Sequence, residues 1–126
     1  MVTVVLDTNA LMLPVERNVR LFDELQRLFE ADPRLLIPRS VLAELESLRS
    51  GAGKEAKAAQ VGRDLADRGE FVEATATYAD DAVVEIATTE DAFVATEDRS
   101  LRDRLLARGI HVIGIRGRNT LEITEP

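Results

Sequence analysis

Apolar and polar positions follow two rhythms along this chain, one of strands and one of helices. Val2–Leu6 is a short apolar run interrupted only by Thr3, and it stops at the turn-prone triplet Asp7-Thr8-Asn9. Arg17–Ala31 carries Val19, Phe22, Leu25, Leu28 and Phe29 at three-and-four spacing, which predicts an amphipathic helix. Arg34–Ile37 reads as a second strand closed by Pro38, and Ser40 as the cap of a helix reaching Leu48. Beyond the weak stretch Ser50-Gly51-Ala52-Gly53, an Ala-rich helix is expected over Lys54–Asp67, with Glu70–Glu73 as a short strand. A further helix opens at Asp80 or Asp81 and runs to about Thr89. Ala92–Thr96 is the next strand, and Asp98–Arg108 the last helix, stopped by Gly109. Ile110–Ile115 is a core strand and Thr120–Ile123 an edge.

Strands alternating with helices predict an α/β fold whose parallel sheet is covered on both faces. In open sheets of this kind ligands bind where strand C-terminal ends meet helix N-termini, so that edge is where chemistry is expected. No fixed-period repeat or Pro- or Ser-rich linker divides the chain. Its 126 residues suit a single domain over 1–126, against a usual ~100–200 residues per domain. A composition 45% hydrophobic and 31% charged is that of a globular protein. No apolar run approaches the ~18 residues of a membrane span, so no membrane partner is expected. The N-terminus enters its strand-like run without a basic leader, from which a cytoplasmic protein without a signal peptide is expected.

Composition then removes whole classes of chemistry. The chain has no cysteine, which excludes disulfides, thiolate metal sites and cysteine nucleophiles. Its single histidine, His111, excludes a two-histidine zinc site and is given no role. Net charge is −7, and all but Lys54 and Lys57 of the 16 basic residues are arginines. Nucleic-acid binders are usually basic. A nucleic-acid partner would therefore need a local basic patch and bound cations.

The acids are the informative residues. Asp7 ends the first strand, and Asp98 follows the strand Ala92–Thr96 and precedes the last helix. Asp80 and Asp81 open a helix whose body is nearly all apolar; one caps it, and the second is not needed for that purpose. At about 100° per residue, Glu44 falls between Val41 and Leu48 on the apolar stripe of its helix, whereas Glu46 points to solvent. Each has an ordinary explanation alone, as a turn residue, a cap or a stripe-edge glutamate with its head in water. Brought together, such acids repel one another unless a divalent cation neutralises them. Carboxylate ligands without histidine or cysteine suit Mg²⁺ or Mn²⁺, and these favour phosphate-ester chemistry. No glycine-rich phosphate loop is present, so the metal must anchor the phosphate.

Four segments, in order over essentially the whole chain, resemble the motifs of PIN-domain nucleases. They are Val4-Val5-Leu6-Asp7-Thr8-Asn9-Ala10-Leu11-Met12, Ser40-Val41-Leu42-Ala43-Glu44-Leu45, Tyr78-Ala79-Asp80-Asp81-Ala82-Val83-Val84-Glu85-Ile86-Ala87, and Phe93-Val94-Ala95-Thr96-Glu97-Asp98-Arg99-Ser100-Leu101. The resemblance implies a three-layer α/β/α sandwich and metal-dependent endonuclease cleavage, mostly of RNA, leaving 5′-phosphate and 3′-hydroxyl ends. It maps the metal-binding, catalytic acids onto Asp7, Glu44, Asp81 and Asp98. Asp81 is preferred over Asp80 because it directly precedes the small residue Ala82. Thr8, Asn9, Thr96 and Asp80 would then support the site. The Tyr-Ala-Asp-Asp segment is similar to archaeal and eukaryotic PIN proteins of ribosomal RNA processing, while small toxins of the VapC type share the size and the other motifs. The partners implied are an RNA substrate, a second copy in a homodimer, and an antitoxin or a ribosome-assembly partner.

Arg39 and Arg49 flank the Glu44 helix, and Arg99 and Arg102 follow Asp98, so these are the candidate RNA contacts. The ordinary alternative is a set of solvated arginines paired with neighbouring acids such as Asp103. A receiver domain fits poorly, because no lysine follows Lys57, and a haloacid-type phosphatase fits poorly because Asn9 stands where a second aspartate is needed. A catalytically silent scaffold of the same fold is the remaining rival, and divalent-metal binding separates it from a nuclease.

Overall fold

The computed structural model describes all 126 residues. Strand β1 (Thr3–Leu6) leads directly into helix α1 (Thr8–Glu16), followed by α2 (Leu21–Phe29), β2 (Arg34–Pro38), α3 (Arg39–Arg49) and α4 (Gly53–Ala66). The second half contains β3 (Glu70–Val72), α5 (Ala79–Glu90), β4 (Phe93–Ala95), α6 (Arg99–Ala107), β5 (Val112–Arg116) and β6 (Thr120–Thr124). The six strands form one sheet in the order β3-β2-β1-β4-β5-β6. All neighbours are parallel except β5 and β6, which pair antiparallel.

Burial explains why these runs are strands. Val4, Val5 and Leu6 are all fully buried, although successive residues of a strand point to opposite faces. Leu36 with Ile37, and Val112 with Ile113, repeat the pattern. Both faces of the central sheet are therefore covered, as expected for parallel strands with helical crossovers. Each such side chain contributes about 1.5–3 kcal/mol by leaving water. Helix α5 packs across β1, β2 and β4, while α1 lies along α4. No helix is long and apolar enough to cross a membrane.

Two details depart from the sequence pattern. Asp7-Thr8-Asn9 does not turn the chain back but opens α1, a helix the apolar periodicity did not indicate. Its residues Thr8, Ala10, Leu11, Met12 and Leu13 are all buried, so it has no polar stripe to produce an amphipathic signal. Ser40 does not cap α3. Pro38 occupies the cap position without a side-chain hydrogen bond, and the Ser40 hydroxyl is buried without a partner.

The topology fixes one special place. β1 is followed in sequence by β2 on one side and lies beside β4 on the other, so the strand order reverses between β1 and β4. Ligands of open α/β sheets bind outside the carboxyl ends of the strands at such a switch point. Register sets the level of the two strands, with Val5 opposite Val94 and Leu6 opposite Ala95. The residues that follow, Asp7 and Thr96, emerge side by side.

Candidate active site

Asp7 is 5% exposed and caps α1, its Oδ1 accepting the Ala10 N–H at 2.9 Å. Its own N–H donates to the Ala95 carbonyl at 3.3 Å, which holds the carboxylate at the gap between β1 and β4. Burial pushes the Asp7 carboxyl up from 3.8 to about 7. The Thr96 hydroxyl and the Ala10 N–H oppose that rise by donating to the charged form, while the Asp80 and Asp98 charges add to it. A cap alone would not need a carboxylate withdrawn so far from water.

Thr96 joins the two strand ends. Its hydroxyl donates to Asp7 and its Oγ1 accepts the Asp98 N–H at 3.1 Å. Asp98 caps α6, accepting the Leu101 N–H at 2.9 Å. Asn9 reaches across from α1 and accepts the Glu97 N–H at 2.7 Å, and Glu97 in turn accepts the Ile115 N–H at 2.8 Å. The loop between β4 and α6 is thus tied to helix α1 and to strand β5. Thr8 is buried at the first position of α1.

The structure changes the reading of the Asp80–Asp81 pair. Asp81 makes an ion pair with Arg104 of α6 at 2.7 Å. Asp80 faces the other acids: burial raises its carboxyl, and the charges of Asp98 and Glu44 raise it further, against a lowering by Arg104. Asp80 is also among the charges acting on Asp7, whereas Asp81 is not. The adjacent position on the helix turns Asp81 away to a cation the sequence did not indicate. Asp80 is thus the acid of this pair whose charge acts on Asp7, while Asp81 is paired with Arg104.

Glu44 is also placed differently from its expected stripe. Val41 and Leu45 are the buried residues of α3, and Glu44 is exposed at the rim, with its charge felt at Asp80. It lies one helical turn from Ser40, on the same face.

Four acids on four different elements thus share one sheet edge: Asp7 after β1, Glu44 on α3, Asp80 on α5 and Asp98 before α6. No three of them stand close enough together to enclose an ion directly. The donor set nevertheless fits a hard divalent cation. It offers carboxylate oxygens only, one is raised by burial with its neighbours' charge adding to the rise, and a cation that retains part of its water shell spans a spread set. Mg²⁺ and Mn²⁺ have that character.

The expected RNA-contacting arginines are mostly engaged with acids at the surface. Arg39 pairs with Glu73 at 2.8 Å, Arg49 with Glu46 at 3.4 Å, and Arg102 with Asp103 at 3.7 Å. Exposed pairs of this kind hold their partners weakly, by about 0–1 kcal/mol. Arg99 and Arg102 line a small depression of about 160 Å³ together with Thr96, Glu97 and Glu122.

Comparison with known proteins agrees with this architecture. A family model described as a PIN-like domain matches residues 4–118. Ribonuclease VapC4 of Methanocaldococcus jannaschii is 30% identical over 127 residues, covering 98% of this chain and 97% of its own length. The solved structure of the PIN domain endonuclease Utp24 superposes with a TM-score of 0.80 at 26% identity, over 98% of this chain and 92% of that one. VapBC2 from Rickettsia felis, bound to a DNA fragment from their promoter, superposes with a TM-score of 0.63 at 16% identity, over 89% of this chain and 98% of that one. That last likeness shows the fold alone.

Proposed function

The chain belongs to the PIN-like domain family, and from that premise we propose that it is a divalent-metal-dependent endoribonuclease acting at the edge where Asp7, Asp80, Asp98 and Glu44 meet. The observation that carries this reading is the buried Asp7 carboxyl, raised to about 7 with two further acids contributing to the rise. Such a cluster is costly as it stands and becomes favourable when a cation shares it. RNA is the proposed polymer because the relative aligned along nearly the whole chain is a ribonuclease.

In the proposed mechanism Asp7, Asp80, Asp98 and Glu44 would hold the metal, Mg²⁺ or Mn²⁺. When bound, the ion supplies Lewis acidity toward a phosphoryl oxygen and a water of lowered pKa. The Thr96 hydroxyl fixes the Asp7 carboxylate by donating to it, and Asn9 fixes the loop that presents Asp98. Hydrolysis forms a bond from water oxygen to phosphorus and breaks the bond to the 3′ oxygen. The products are a 5′-phosphate and a 3′-hydroxyl.

Two settings follow for the same chemistry. The Tyr78-Ala79-Asp80-Asp81 segment, similar to PIN proteins of ribosomal RNA processing, favours that process with a ribosome-assembly partner. Likeness to the PIN endonuclease Utp24 along almost the whole fold supports the nuclease chemistry. The 30% identity to ribonuclease VapC4 favours a toxin ribonuclease held by an antitoxin, and we propose a homodimer in either setting. The test is incubation of purified protein with single-stranded RNA in Mn²⁺, in excess chelator, and with Asp7→Asn. The reading predicts internal cuts with 5′-phosphate ends only in the first. Equal cutting in all three would refute it.

A further inference from the structure

Tyr78 is the only tyrosine of a chain without tryptophan. It is 76% exposed, and the only other large hydrophobic residue so exposed is the N-terminal Met1. The four phenylalanines are instead partly buried against the core. Phe29 and Phe93 pack edge to face at 4.9 Å, the Arg68 guanidinium covers Phe22 at 3.9 Å, and Arg39 and Arg63 flank Phe71. Tyr78 is therefore the one aromatic ring left largely in water.

Its place is fixed from both sides. Tyr78 is the cap residue of α5 in extended conformation, and its carbonyl accepts the Ala82 N–H at 2.9 Å. Upstream, the Glu85 carboxylate clasps the incoming loop, accepting the Thr75 N–H at 2.7 Å, the Ala76 N–H at 3.1 Å and the Thr75 hydroxyl. These bonds hold the Glu85 carboxyl below its ordinary range, the Thr75 side chain contributing most. A ring presented on so anchored a backbone loses little conformational entropy when it is covered.

The position matters because Asp80 is only two residues further, in the first turn of the helix that Tyr78 opens. The ring is thus carried within one helical turn of an acid of the proposed site. Charge gives the protein only a modest grip on RNA. Net charge is −7, and Arg39, Arg49, Arg102 and Arg104 are paired with acids, which leaves Arg99 as the unpaired arginine next to Asp98. Stacking on a nucleobase involves no charge and tolerates any sequence. A duplex keeps its bases stacked on one another, so only a single strand offers a free face.

We infer that Tyr78 is a positioning residue, a platform on which a nucleobase flanking the scissile phosphate of single-stranded RNA stacks. The inference rests on the proposed ribonuclease function but is tested apart from it. Because Tyr78 is the sole tyrosine, emission of the intact protein reports this ring alone. Wild-type protein in chelator is titrated with a single-stranded oligouridylate, with free tyrosine amide as the inner-filter control. Binding is followed independently by the anisotropy of a labelled copy. The expected result is quenching of the emission with the same midpoint as the anisotropy, and none with a duplex of equal length. Tyr78→Leu, which keeps an apolar side chain without a π face, should weaken binding roughly tenfold or more, while Tyr78→Phe stays within about twofold. In Mn²⁺ the leucine variant should raise KM by a similar factor and leave kcat largely intact. Unchanged emission while anisotropy reports binding, equal affinity of Tyr78→Leu, or no binding of the single strand would each overturn the inference. Binding with quenching but no cleavage in Mn²⁺ would refute the ribonuclease reading and leave the platform standing.

Discussion

The Arg104 guanidinium stands 2.7 Å from the Asp81 carboxylate, and on the proposed function that pair leaves Asp80 as the acid that holds the metal. With Asp81 drawn to α6, Asp80 is left facing Asp98 and Glu44. Asp80→Asn should lower RNA cleavage by about 100-fold or more, the loss expected on removing a metal-holding acid. Asp81→Asn gives up only a partly exposed ion pair, and its activity should stay within about fivefold of wild type. Initial rates of the two variants at saturating Mn²⁺ check this. The reverse ranking would return the role to Asp81.

Thr96 gives a second prediction. Its hydroxyl donates to Asp7 and accepts from the Asp98 N–H, so it orients two acids through one atom. Thr96→Val keeps the shape but removes both bonds, and should cost about 10- to 100-fold in metal affinity. Thr96→Ser should restore most of it. Calorimetric titration with Mn²⁺ distinguishes the three proteins.

The raised Asp7 pKa makes the metal-free protein pH-sensitive. A carboxyl at about 7 when folded and 3.8 when unfolded keeps its proton longer in the native state. The stability it contributes is therefore fully present below pH ~4 and lost as pH rises through about 7. At 1.36 kcal/mol per unit the loss is at most about 4 kcal/mol. Asp80, also raised, acts in the same direction. Glu24, Glu70 and Glu85 are held low, so their contribution is lost only in acid, below this window. Thermal unfolding in chelator should show Tm falling between pH 5 and 8. Asp7→Asn should flatten that slope and raise Tm at pH 8, even as it removes activity.

Gly62 links packing to the site. A Cβ there would lie 2.8 Å from the Leu11 carbonyl oxygen, because α4 crosses closely over α1. The atom it would meet is backbone of the helix that Asp7 caps. Gly62→Ala should destabilise the fold by about 1–3 kcal/mol through overpacking, in spite of alanine's better helix propensity. Denaturant unfolding measures it, and an unchanged midpoint would show that α1 and α4 can separate without cost.

What the chain discloses before folding depends on how local the cause is. The runs at Thr3–Leu6 and Arg34–Pro38 are legible because burial on both faces leaves continuous apolar stretches. Helix α1 escapes because its buried run Ala10–Leu13 is continuous rather than periodic, and because it contains Pro14 and begins on a turn-prone triplet. The positions of Asp7 and Asp98 follow from strand ends and are visible in the sequence. Glu44 is placed correctly along α3 but not in depth: the projection puts it on the core stripe, whereas it stands at the rim. The pairing of Asp81 with Arg104 comes from another helix, and no local spacing encodes that contact. Glu85 is likewise revealed only when the loop it clasps has folded back onto α5.

The central claim is that separate acids around a buried Asp7 act as one site for a divalent cation. The most direct measurement is Mn²⁺ binding at pH 8 by electron paramagnetic resonance, comparing wild type with Asp7→Asn, Asp80→Asn, Asp98→Asn and Asp81→Asn. Saturable binding is expected for wild type and Asp81→Asn, with loss of that binding in each of the other three. Equal binding by all five proteins, or none by wild type, would show that these acids form no common cation site.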